Sequence, residues 1–272
     1  MDTENANRTD LAASLMTYGK YVFALGVMAI GALTLTWGDF ANGQPVPAAF
    51  PDRTILAYLA GAFMFIAGAA ILWRRTTAWA AAAIAAYFTV IVVIVMDGPG
   101  LIAQYTVYGV YEGIAIQLAI ACGALIVFAA NADIDAALAA RLTRIAQLTF
   151  GVCALIFGGA HFVYLTFTTP FVPAWLPPSQ AFWAYVTGVA HILAGIAILT
   201  GFRARLAAIL LTIMFAAFQP LVHIPMLLAA PTSHFEWGEN ATNLALIGVA
   251  WLIAETLPRQ AWRRWLPVTE SA

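Results

Sequence analysis

At 272 residues the chain is 63% hydrophobic and only 9% charged, with a mean hydropathy of +0.87. A soluble domain is roughly half apolar and a quarter charged, and its outer shell could not hide this much apolar surface from water. The net charge of −1 leaves no footprint for nucleic acid, and two cysteines without a CxxC pair rule out a disulfide scaffold.

In chain order, Met1 to Asp10 is polar and acidic, unlike the basic start of a signal peptide. The first apolar run enters Gly38-Asp39-Phe40 without a small-residue cleavage site, so it is read as a retained helix. The apolar runs lie near 21–37, 55–73, 78–96, 109–130, 145–168, 182–201, 206–230 and 240–257. Each is close to the roughly 20 residues that cross about 30 Å of hydrocarbon. Helices are expected because backbone polar groups in lipid must be paired within their own segment.

The basic residues fix the expected orientation. With eight crossings, one side receives the N-terminus, the even-numbered gaps and the C-terminus. Those segments hold 11 of the 12 lysines and arginines, and only Arg53 falls on the other side. Basic residues stay where the chain is not translocated, so both termini are expected in the cytoplasm. Trp37, Trp175, Trp183 and Trp237 fall at the outer boundaries, where indole rings favour the interface. Trp262 and Trp265 sit in a short basic tail expected to rest on the inner surface.

The two halves echo each other. Tyr58 and Gly61 match Tyr185 and Gly188 at a shift of 127, as do Gly68 with Gly195, Phe88 with Phe215 and Glu112 with Glu239. Gly26-Val27 matches Gly151-Val152 at a shift of 125. A near-constant shift over four spans reads as duplication. The expectation is an all-α integral membrane protein of eight transmembrane helices, arranged as two parallel tandem four-helix units. It divides into a cytoplasmic segment over 1–20, a first unit over 21–130, a connector over 131–144, a second unit over 145–257 and a cytoplasmic basic amphipathic tail over 258–272.

The second unit carries Gly159-Ala-His161-Phe162, Trp175-Leu-Pro-Pro178, Phe182-Trp-Ala-Tyr-Val-Thr-Gly-Val-Ala190 and Pro220-Leu-Val-His-Ile-Pro225. In these motifs it resembles the DoxX/DoxD-like membrane family, and the first unit shows only a faint version. The resemblance implies a four-helix membrane unit. Some relatives are subunits of a thiosulfate:quinone oxidoreductase, and others are linked to thiol or oxidative-stress complexes. The duplicated architecture departs from the usual single unit, and fold likeness transfers poorly to chemistry.

All four histidines fall in the second unit, and their repeat partners are not ionisable. At the helical rise, His161 lies about 24 Å and His223 about 26 Å above the inner surface, and His191 about 13 Å below the outer end of its helix. His161, His223 and Glu239 are therefore expected to share one layer and to carry proton exchange. His191, Gln219, Trp183 and Tyr185 are expected to bind a cofactor beside them. Pro220 interrupts the seventh helix just before His223, and such breaks accompany sites and cavities. Histidine suits quinone chemistry because it changes protonation near neutral pH. The opposing reading is that the histidines only bond neighbouring helices. Glu112 and Asp39 read as wetted helix ends, and Cys122 and Cys153 as packing residues.

Three functions stay open on this sequence. One is a redox-linked, quinone-interacting subunit of a bacterial cytoplasmic (inner) membrane; were it an enzyme, it would be a quinone-linked oxidoreductase subunit. A second is a non-catalytic accessory or assembly subunit of a larger membrane complex. A third and weaker one is a small-solute transporter, suggested by the tandem repeats; against it, the helices lack paired gating charges and an evident pair of broken helices at matching positions, Pro220 facing Val93. No nucleotide, haem or metal motif is present.

Overall fold

The computed structural model describes residues 2–258, with side chains described from Tyr18 onward. The tail expected over 258–272, with Trp262 and Trp265, lies outside the described residues except for Pro258. Every regular element described is helical. The eight long helices are α1 (Asp2–Trp37), α2 (Arg53–Ile71), α3 (Thr77–Ala86, continuing through Tyr87–Asp97 and Gly98–Ala103), α4 (Tyr108–Asn131), α5 (Ala136–Val163), α6 (Gln180–Thr200), α7 (Ala204–Phe218, continuing through Gln219–His223 and Ile224–Ala229) and α8 (His234–Thr256).

Seven of them, α1 to α7, are long and apolar enough to cross a membrane. The protein is therefore an all-α membrane protein. The helix α8 is long enough, at 23 residues, but its first half carries Glu236, Glu239, Asn240, Thr242 and Asn243. Its place explains the composition. It packs on α1, α7 and α4 and buries most of its length, so few of its side chains face the surrounding medium.

The connector is shorter than expected. Asp135 caps α5 by accepting from the amides of Ala137 (2.9 Å) and Leu138 (3.2 Å), so the helix starts at Ala136 and only 132–135 link the halves. Neighbours in sequence pack side by side all round the molecule. The helix α1 also packs on α8, which closes a ring, and α4 touches α8 across the middle.

Glycines set the seams, and they repeat. At the α1/α2 seam a Cβ on Gly61 would crowd Leu35 and the Gly31 carbonyl; at α5/α6 a Cβ on Gly188 would crowd Phe162 and the Gly158 carbonyl. Gly68 meets the Ala24 carbonyl and Met28, as Gly195 meets the Gly151 carbonyl and Leu155. Every one of these pairs is related by a shift of 127. Small residues at such positions let helix backbones approach in lipid. The shift of 125 expected for α1 and α5 is thereby corrected to 127. The Gly26/Gly151 match came from chance identity, because the packing partner of Gly68 is Ala24.

The helices α3 and α7 widen to π geometry at overlapping repeat positions, over Tyr87–Asp97 and Gln219–His223. In α7, Pro220 removes a backbone donor at that place. In α3 the widened stretch holds seven consecutive β-branched residues, Thr89 to Val95, whose crowded χ1 angles weaken the α form. A break at matching positions thus exists, although only one copy has the proline.

Candidate functional site

The corrected shift pairs His161 with Thr34, and the structure shows why either residue serves there. Thr34 donates its hydroxyl to the Ile30 carbonyl at 2.9 Å, and His161 places Nδ1 2.9 Å from the Phe157 carbonyl. Both tie to the residue four earlier, and Ile30 and Phe157 are themselves repeat partners. A carbonyl only accepts, so Nδ1 of His161 carries the proton and the neutral ring keeps Nε2 as an acceptor. His191 repeats this arrangement, with Nδ1 2.8 Å from the Thr187 carbonyl.

His161 and His191 lie together, with ring centroids 5.1 Å apart. His191 is buried against Phe157, Phe215 and Phe218, whose rings approach to 6.1, 5.5 and 6.4 Å. Its repeat partner Met64 is equally buried. A histidine thus stands in a slot that the other half fills with an apolar side chain.

Beside His161 a cavity of about 370 Å³ opens between α4 and the turn after α5. It is lined by Glu112, His161, Tyr164, Phe167, Thr168 and Phe171. Glu112 is half-buried, and among the described residues its carboxylate accepts no hydrogen bond and forms no ion pair. Tyr164 braces the wall by accepting from the Gly109 amide at 2.8 Å, while Tyr108 donates to the Ile156 carbonyl at 2.8 Å. The site is composite: its carboxylate comes from the first half of the chain and its histidines from the second.

Residues 150–255 match a family described as a domain of unknown function, DUF8561. The DUF8561 segment covers less than half of the chain, running from α5 into α8. It includes all four histidines and Glu239 but leaves out Glu112. No DoxX family model matches. No curated protein and no solved structure matches the chain.

The other expected site residues are placed differently within the DUF8561 segment. Of the expected layer of His161, His223 and Glu239, His161 turns to His191 and the Glu112 cavity. His223 makes no ion pair with Glu239 and no ring contact among the described residues. Glu239 instead accepts from Asn42 Nδ2 at 3.1 Å, and the same amide donates to the Phe235 carbonyl at 2.9 Å. Gln219 donates to the Asn240 carbonyl at 3.2 Å, tying α7 to α8. Trp183 donates its indole N–H to the Pro177 carbonyl at 2.8 Å, and Tyr185 is exposed against Phe162, so neither ring reaches His191. Depth along single helices does not contain which faces meet, so the pairing of His161 with His191 was outside its reach.

Sequence reasoning set Glu112 aside as a wetted helix end. The signal that finds it is its own repeat match to Glu239, combined with the parallel contact of α4 and α8. Glu112 and Glu239 lie close enough to interact electrostatically. A second cavity, about 780 Å³, lies in the first half among Phe40, Phe50, Phe63, Tyr87, Met96 and Gln104, and no histidine or carboxylate lines it.

Proposed function

We propose that this is an eight-span, DoxX-like protein of a bacterial inner membrane that binds a quinone headgroup for a redox-active partner subunit. All eight helices cross, in two parallel four-helix units with both termini cytoplasmic. The sorted arginines support that orientation, and the buried middle position of α8 accounts for its lower hydropathy.

The observation that carries the functional reading is the cavity that brings His161, backed by His191, against the unpaired carboxylate of Glu112. Its volume falls within the roughly 300–1,000 Å³ of small-molecule sites. Ionisable groups held inside a membrane bundle are functional candidates because their desolvation is costly. The aromatic walls, Phe167 and Phe171, suit a flat apolar ring. In the oxidation of a bound quinol, His161 and Glu112 would take one proton each, and the two electrons would pass to the redox centre of the partner subunit. The protein's own part is to hold the ring and move the protons.

The test is solvent extraction of protein purified in mild detergent, with quinone read by absorbance. His161→Ala and Glu112→Leu are each expected to lower retained quinone at least tenfold without changing the elution profile. Unchanged retention in both variants would remove the reading and leave an accessory role. Labelling of the two termini on opposite faces of the bilayer would overturn the topology.

A further inference from the structure

The repeat offers an internal comparison for the cavity at Glu112. Its lining corresponds, at the shift of 127, to Glu239, Thr34, Trp37, Phe40, Ala41 and Gln44. At the equivalent place in that half Thr34, Phe40, Ala41 and Gln44 are all buried, and the cavity of about 780 Å³ that Phe40 borders does not reach Glu239. The turn after α1 delivers Asn42 onto Glu239, and a primary amide sits where the other half has space. The repeat partner of Asn42 is Thr169, which cannot do the same. Thr169 spends its hydroxyl on the Leu165 carbonyl at 2.7 Å, and Thr168 on the Tyr164 carbonyl at 2.7 Å. The hydroxyls nearest the cavity are thus turned back to their own chain.

What remains facing the space is two acceptors, with the Tyr164 hydroxyl, which already receives the Gly109 amide, as the one lining group able to donate. Glu112 offers carboxylate oxygens without a partner, and His161 offers Nε2 because Nδ1 is committed to Phe157. Both open on the cavity and are not sealed from it, so a bound donor can reach them.

We propose that the Glu112 cavity is a hydrogen-bond-acceptor site: it selects a small apolar molecule by a hydroxyl or amide N–H donor, as Glu239 already holds the amide of Asn42. For the quinone reading, on which the choice of redox probe rests, this means that the reduced, hydroxyl-bearing form is preferred over the oxidised form, which only accepts. Glu112 is then the residue that sets the specificity.

The experiment measures affinity of the full-length protein in lipid nanodiscs for two matched pairs: a short-chain benzoquinol against its benzoquinone, and benzamide against methyl benzoate. The expected result is quinol binding at least tenfold tighter than quinone, with the preference lost in Glu112→Leu. Quinone binding as tightly as quinol would overturn the acceptor site while leaving the quinone reading in place. If only the second pair binds, with benzamide the tighter, the quinone reading falls and the acceptor site stands. Binding of none of the four would overturn both. Were Glu112→Leu to misfold, the comparison within each pair on the wild-type protein still decides.

Discussion

Glu239 and Glu112 occupy equivalent positions on two parallel central helices, yet one is stoppered by the chain and the other opens on a cavity. The difference begins in the residues that end α1 and α5. After Trp37 the chain turns at Gly38, which adopts a left-handed backbone (φ 59°) that favours glycine. Asp39 is then anchored by its ion pair with Arg53 and by the Phe40 amide at 2.6 Å, and the turn drops Asn42 onto Glu239. In the second half the corresponding chain holds Leu165 and Thr166, resumes helix after Tyr164 and runs through 165–171, where Phe167, Thr168 and Phe171 line the cavity and none bonds Glu112. The two equivalent positions thus share the carboxylate and differ in the lid. A vacated copy of a filled site is where ligand binding can arise without disturbing the rest of the bundle.

This comparison can be broken at several levels. The largest effect is expected at the paired slots of Met64 and His191. Met64→Ala should cost about 2–5 kcal/mol of stability by opening a hole in the core. His191→Met, which installs the residue of the other half, should cost under about 1.5 kcal/mol in thermal unfolding. A larger loss would mean that the two slots differ in shape. Next come the seams: Gly31→Leu and Gly158→Leu should each destabilise by about 3 kcal/mol, since either side chain meets a neighbouring helix. Clearly unequal losses in unfolding experiments would argue against equivalent seams. Asn42→Ala strands Glu239 and the Phe235 carbonyl, and should cost about 1–2 kcal/mol in the same assay. The smallest effect belongs to Glu112→Leu, expected within about 0.5 kcal/mol of the parent because no partner is lost. A substantial loss there would show that Glu112 is held by the bundle after all, and would sharpen the contrast in the opposite direction.

The helical membrane character was legible from composition, and of the eight runs read as crossings, seven form helices long and apolar enough to span a membrane. The eighth run is less apolar because α8 is surrounded by other helices, a circumstance its own residues only hint at through Glu239, Asn240 and Asn243. The repeat was visible through identities such as Gly61/Gly188, but a chance pair, Gly26 and Gly151, displaced the register of α5 by two residues. A shift of 125 sets His161 opposite Thr36, whereas 127 sets it opposite Thr34, which makes the same bond to the preceding turn. The grouping of His161 with His191 and Glu112 was not legible. It depends on the rotation of α4, α5 and α6 about their axes, which the seam glycines fix and which a depth count along one helix does not contain.

The closure of the ring by α1 and α8 bears on how the protein is made. A Cβ on Gly26 would collide with the Ala245 backbone, and one on Gly248 with the Phe23 backbone, so these two helices meet through close main-chain contact. They stand at opposite ends of the eight-helix series. During synthesis α1 must wait, its glycine face without its partner, until α8 has been made and has docked on it. Contacts so distant in sequence form late and slowly. A nascent chain stalled before α8 would therefore present an unfinished groove, a surface by which membrane quality control could tell it from the completed protein.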